Sequence, residues 1–159
     1  MKTHRALRTI ICLAVGWALI SGAVTSAVAH KGATGIVKER MEAMKGMSAA
    51  MKQIKAMLKG RADYDPARIA ELSRAIARHS GESLVKVFPR GSLHRPSRAK
   101  PEVWEKWRVF KDLAGDMERH ATALAESAAN QKSAKKPFAA LGDTCSACHK
   151  KFRAKKKKR

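Results

Sequence analysis

From residue 30 onward the chain shows no strand-like alternation of β-branched residues, and its apolar positions recur at intervals of three and four. Val37, Met44, Met47, Met51, Ile54 and Leu58 are spaced 7, 3, 4, 3 and 4 apart, with Lys38, Lys45, Lys52, Lys55 and Lys59 largely off that line. This is the stripe of an amphipathic helix, running from about Thr34 to Lys59 and closed by Gly60 as a C-terminal glycine should close it. Asp65-Pro66 opens a second helix, with a capping carboxylate followed by proline at the first helical position. Ile69, Leu72, Ile76, Leu84, Val85 and Phe88 are its apolar residues, and Pro89 stops it. Arg90 to Lys100 has no period and reads as a surface loop. Pro101 starts a third helix, with Val103, Trp104, Trp107, Phe110, Leu113, Met117, His120, Ala121 and Leu124 on one side, fading near Asn130. A fourth begins near Ser133 or Lys136 and carries Pro137, Phe138, Leu141, Cys145, Cys148, His149 and Phe152 inward. Four such helices predict an all-α fold, an antiparallel up-down-up-down four-helix bundle.

The first 29 residues do not belong to that bundle. Lys2, Arg5 and Arg8 precede an apolar run from Ile10 to Ile20, and Ala27-Val28-Ala29 ends the segment in small residues. The pattern is that of a secretory signal peptide cut after Ala29. The apolar run is too short and too interrupted for the roughly 20 residues of a membrane span. The expected mature chain is residues 30–159, placed in an oxidising compartment, the periplasm, with Cys145 and Cys148 as its two cysteines. Cleavage lowers the formal charge from +21 to +18. Nucleic acid is the obvious partner for such a charge, but an exported chain with one Tyr and four Phe lacks the setting and the stacking platform for it.

Cys145-Ser146-Ala147-Cys148-His149 carries the chemistry. A C-x-x-C-H sequence in an exported chain reads as a c-type haem attachment site. Cysteines three apart on a helical turn point the same way and can form thioethers to the two vinyl groups of one porphyrin. The adjacent histidine then offers a proximal nitrogen to the iron, and Phe152, one turn on, is placed to pack against the macrocycle. A structural zinc site would need about four ligands, and His79, His94 and His120 stand at no recognisable metal spacing. A thioredoxin-like dithiol belongs to a βαβ context. A Cys145–Cys148 disulfide would close too small a loop to stabilise much.

With the motif in the last helix of a four-helix bundle, the chain resembles the class II cytochromes c, the cytochrome c′ family. The matching pieces are Arg40-x-x-x-Met44, the turn Tyr64-Asp65-Pro66, FPRGS at 88–92, PEVW at 101–104 and CSACHKKFR at 145–153. The stretch from Gly32 to Met47 is most similar to the low-spin cytochrome c-556 branch. The resemblance covers nearly all of residues 30–159. It implies one covalent haem c and a division of function by the sixth iron ligand. High-spin members leave the iron five-coordinate and open to gases such as nitric oxide. Low-spin members supply a methionine from the first helix and carry electrons.

By that register the distal ligand is Met44, with Met47 and Met41 as the other candidates, and the resemblance points to an electron carrier rather than an enzyme. Met41, Met44, Met47, Met51 and Met57 at helical spacing would also suit plain core packing. Arg40 falls one turn before Met44, roughly on the apolar side; the resemblance places it beside a haem propionate, where a planar fork of donors suits a carboxylate. Trp104 corresponds to an aromatic that the family brings near the haem. The run KKFRAKKKKR, residues 150–159, reads as a basic tail. It can steer redox partner proteins with acidic docking surfaces or touch an anionic membrane peripherally. The resemblance admits a monomer or a homodimer, and the lysines along the first helix favour the monomer.

Overall fold

The computed structural model describes residues 33–155. Residues 1–32, with the expected signal peptide among them, and residues 156–159 lie outside the described residues. Six helices follow in order: α1 Gly35–Leu58, α2 Pro66–Arg78, α3 Gly81–Lys86, α4 Glu102–Glu105, α5 Trp107–Glu126 and α6 Gln131–Phe152. The long ones form the expected antiparallel four-helix bundle, with α3 extending α2 and α4 preceding α5. Among the described residues there is no strand, only an isolated bridge between Ala99 and Arg153, and no helix is long and apolar enough to cross a membrane.

Local chemistry sets the helix ends. Gly60, at φ 65°, follows α1. Its N–H donates to the Met57 carbonyl and that of Arg61 to the Ala56 carbonyl, 3.2 and 2.9 Å away, which satisfies carbonyls the helix end would otherwise orphan. Asp65 Oδ1 accepts from the Arg68 N–H at 2.9 Å, with Pro66 inside the first turn of α2. Asn130 caps α6 through 2.9 and 3.1 Å bonds from the Lys132 and Ser133 N–H groups, so the fourth helix starts earlier than Ser133.

Two expected helices are each broken. The second stops at Arg78, because Gly81 adopts φ 55° and the Ser80 hydroxyl donates back to the Ile76 carbonyl at 2.7 Å. A side chain at Gly81 would be strained in that backbone and would collide with the Glu118 carboxylate. The third helix is interrupted at Lys106 (φ −117°, ψ 44°), leaving Glu102–Glu105 as a single turn. Lys150 to Phe152 complete α6, so the fourth helix runs into the start of the basic stretch.

The core is a continuous cluster in which Val37, Ile54, Ile69, Ile76, Val103, Phe110, Leu124 and Leu141 are almost wholly buried. α5 sits centrally, packed on α2, α3 and α6, whereas α1 lies along α2 and meets α6 over a shorter stretch. The Tyr64 hydroxyl donates to the Ala128 carbonyl at 2.7 Å and ties the α1–α2 turn to the α5–α6 turn. Leu124→Ala, which opens a cavity at this centre, is expected to cost about 2–5 kcal/mol of stability. The shift in urea midpoint at unchanged m-value measures it.

Candidate haem site

The α1–α6 junction opens into a cleft of about 530 Å³, a size suited to a cofactor. Its α6 wall carries Cys148, His149 and Phe152, and its α1 wall carries Met41, Met44, Lys45 and Ser48. Phe88, Phe110 and the loop from Pro96 to Ala99 complete it, with Arg153 at the rim. The sequence at 145, 148 and 149 makes one helical face. Cys145 lies one turn deeper along α6, half-buried, its sulfur 4.0 Å from Met117 Sδ. Both cysteines are free thiols. Burial pushes the Cys148 thiol up to about 11, with the neighbouring Cys145 adding to the shift, and burial raises Cys145 as well.

His149 is exposed over much of its surface, but its imidazole is crowded by the cleft walls. That desolvation first, and the positive charge of Arg98 second, lower its pKa. A lowered pKa favours the neutral ring, the form with a nitrogen lone pair for a metal.

Arg40 supplies the test of fit. Only 4% exposed on the core side of α1, its guanidinium stacks 4.3 Å over the Phe88 ring and donates from one terminal nitrogen to the Ser92 carbonyl at 2.8 Å. Its Nε and other terminal nitrogen are buried with no partner. Donors of a buried charge left unsatisfied are costly, and burial lowers the Arg40 pKa. A carboxylate entering beside Phe88 is the chemistry these donors lack, and haem brings two. Arg40 itself does not line the cleft but adjoins it through Phe88, and the cleft's size, its aromatic wall and the C-x-x-C-H residues on α6 fit a haem.

The other expected site residues separate. Met44 lines the cleft, as does Met41, while Met47 is buried in the core. Phe152 lines it and meets Phe110 edge-to-face at 5.5 Å. Trp104 does not. Its Nε1 donates to the Phe88 carbonyl at 2.9 Å, and it borders a separate shallow groove with Lys86, Arg90 and Trp107. The break at Lys106 turns it away from the cleft side of α5. The α5 aromatic in the cleft is Phe110, packed on Phe88 at 4.8 Å. Its place on the third apolar stripe was the available signal. The loop from Pro96 to Ala99 had none.

A family model described as cytochrome c′ matches residues 35–153. The chain belongs to the cytochrome c′ family. It is 35% identical over 124 residues to cytochrome c′ of Rhodopseudomonas palustris, covering 77% of this chain and 84% of that protein. It is 31% identical over 123 residues to cytochrome c-556 of Agrobacterium tumefaciens (strain II Chrys), covering 77% and 99%. The solved structure of the R. palustris cytochrome c′ superposes with a TM-score of 0.73 at 34% identity, over 79% of this chain and all of that one. Proteins of the cytochrome c′ family carry covalently bound haem c with iron, and haem c is the cofactor here. CSACH is the attachment motif this chain offers. Replacing both Cys145 and Cys148 with Ser is expected to abolish covalent haem, so that the haem-staining band on a denaturing gel disappears.

Proposed function

We propose that this member of the cytochrome c′ family is a periplasmic monohaem electron carrier with a low-spin, His/Met-ligated iron. The observation that carries the reading is the cleft itself, whose lining takes in His149 from α6 and Met44 from α1. Cys145 and Cys148 would hold the haem by thioethers, with His149 and Met44 as the ligands offered to its iron. The haem supplies a one-electron iron couple, whose potential a methionine opposite histidine raises. Arg40 offers its two unpaired donors to a propionate. Phe88, Phe110 and Phe152 make a largely apolar wall that excludes water. The Met44 thioether, as an iron ligand, would keep exogenous ligands away, which suits electron transfer without bond making.

Likeness to proteins named cytochrome c′ favours a second reading, a five-coordinate iron that binds small gases such as nitric oxide. The optical spectrum separates the two. The electron-carrier reading expects the weak far-red band of a thioether bound to ferric iron and no carbon monoxide complex of the ferrous protein. A high-spin Soret band and ready carbon monoxide binding would sink it.

The acidic-partner reading rests on the cleft rim, where Lys45, Arg98 and Arg153 are the charged residues beside His149 and no carboxylate lines the opening. The basic C-terminus continues from that rim. Export to the periplasm rests on the signal-like first 29 residues. Truncation after Lys155 removes four positive charges and keeps the Ala154 N–H bond to the Arg98 carbonyl. Oxidation of the ferrous protein by ferricyanide, an anion, is expected to slow several-fold at low ionic strength. High salt should erase the difference. Equal rates at all salt concentrations would reject steering by the tail.

A further inference from the structure

α1 turns two stripes toward two different neighbours. Val37, Arg40, Met47, Ala50, Ile54, Met57 and Leu58 are buried in the bundle. Met41, Met44, Lys45 and Ser48, at intervals of 3, 1 and 3, line the cleft. The cleft stripe therefore holds two thioethers one turn apart. Met44 also packs against the hydrophobic core, whereas Met41 is half-buried with its side chain lining the cleft and is not part of that packing. A packing role accounts for Met44 as well as ligation does, but accounts poorly for Met41.

Resting on the His149/Met44 reading above, we infer that Met41 is a reserve axial ligand, a second thioether for the same face of the iron that takes over when Met44 is lost. Residues three apart on a helix differ by about 4.5 Å along the axis and by about 60° around it. A methionine side chain has three rotatable bonds and adapts to irregular space, so it can span an offset of that order. Where Met44 is missing, the Met41 Sδ would supply the thioether in its place, a contact that moves no electron or proton. Arg40 helps to confine it: tied to Ser92 and stacked on Phe88, it fixes the rotation of α1, leaving the side chains rather than the helix to make the change. The consequence is a distal face that stays closed to gases after loss of one methionine.

The test uses the holoprotein and three variants, Met41→Leu, Met44→Leu and the double variant, with leucine chosen to keep core volume. Circular dichroism checks that each is folded. The far-red thioether band and carbon monoxide binding to the ferrous form are the readouts. Wild type and both single variants are expected to keep the band, shifted in Met44→Leu, and to resist carbon monoxide. The double variant is expected to lose the band and bind the gas. A Met44→Leu protein that loses the band and binds carbon monoxide overturns the inference while leaving Met44 as ligand. A double variant that stays low-spin overturns it too, by showing that another group such as Lys45 takes the position. Loss of the band in Met41→Leu alone makes Met41 the primary ligand and rejects both assignments. A wild type without the band removes the His/Met reading and this inference with it.

Discussion

Arg40 puts a permanent positive charge on the core-facing side of α1, and a charge so buried is costly unless its donors are met. The protein meets one of them with the Ser92 carbonyl and covers the guanidinium face with the Phe88 ring. Both partners belong to the turn that ends the second arm of the bundle, so this contact ties α1 to the segment from Phe88 to Ser92. Phe88 in turn packs on Phe110, and Phe110 on Phe152. One arginine thus connects the first helix to the aromatic wall beside His149. Its Nε and second terminal nitrogen remain without a partner. A hydrophobic residue here would fill the space at lower cost, which makes the arginine poor as a stabiliser of the fold alone.

Much of the architecture was legible because periodicity and capping act locally. Gly60, Asp65-Pro66 and Pro89 end or begin helices for reasons contained in a few neighbouring residues. The break between α2 and α3 was written in the sequence as well, in the seven residues between Ile76 and Leu84, which hold two serines and a glycine. A helix read through that gap assumed that flanking apolar residues outweigh a glycine at positive φ, and they do not. Trp104 was misplaced for a different reason. Its neighbours cannot reveal the break at Lys106, since only packing decides whether the first turn after Pro101 continues into α5.

The cleft divides the same way. Cys148, His149 and Phe152 share a helical face by spacing alone, so the α6 wall needed no tertiary knowledge. The α1 wall did. The stripe from Val37 to Leu58 gave the core direction only approximately, and Met44 and Met51 fall half-buried at its edge while Met47 goes inside. A shift in helical phase of about one residue, near 100° around the axis, separates a methionine in the core from one facing a cofactor. That phase is set by Arg40 and by how α1 lies against α2, neither of which the pattern of apolar residues encodes.

The C-terminus shows how a charge run acquires a fixed position. The Lys100 N–H donates to the Phe152 carbonyl at 2.9 Å and the Ala154 N–H to the Arg98 carbonyl at 2.8 Å, while Lys100 Nζ reaches the Lys151 carbonyl at 2.9 Å. These bonds clip the end of α6 to the loop that walls the cleft. Arg98 and Arg153, 55 residues apart in sequence, consequently face the same opening. Electrostatic attraction between exposed charges fades over about 8 Å at physiological ionic strength. A basic segment free to wander would contribute mainly to solubility. Arg153 is instead held at the mouth of the cleft beside Arg98, so its charge stands at the opening.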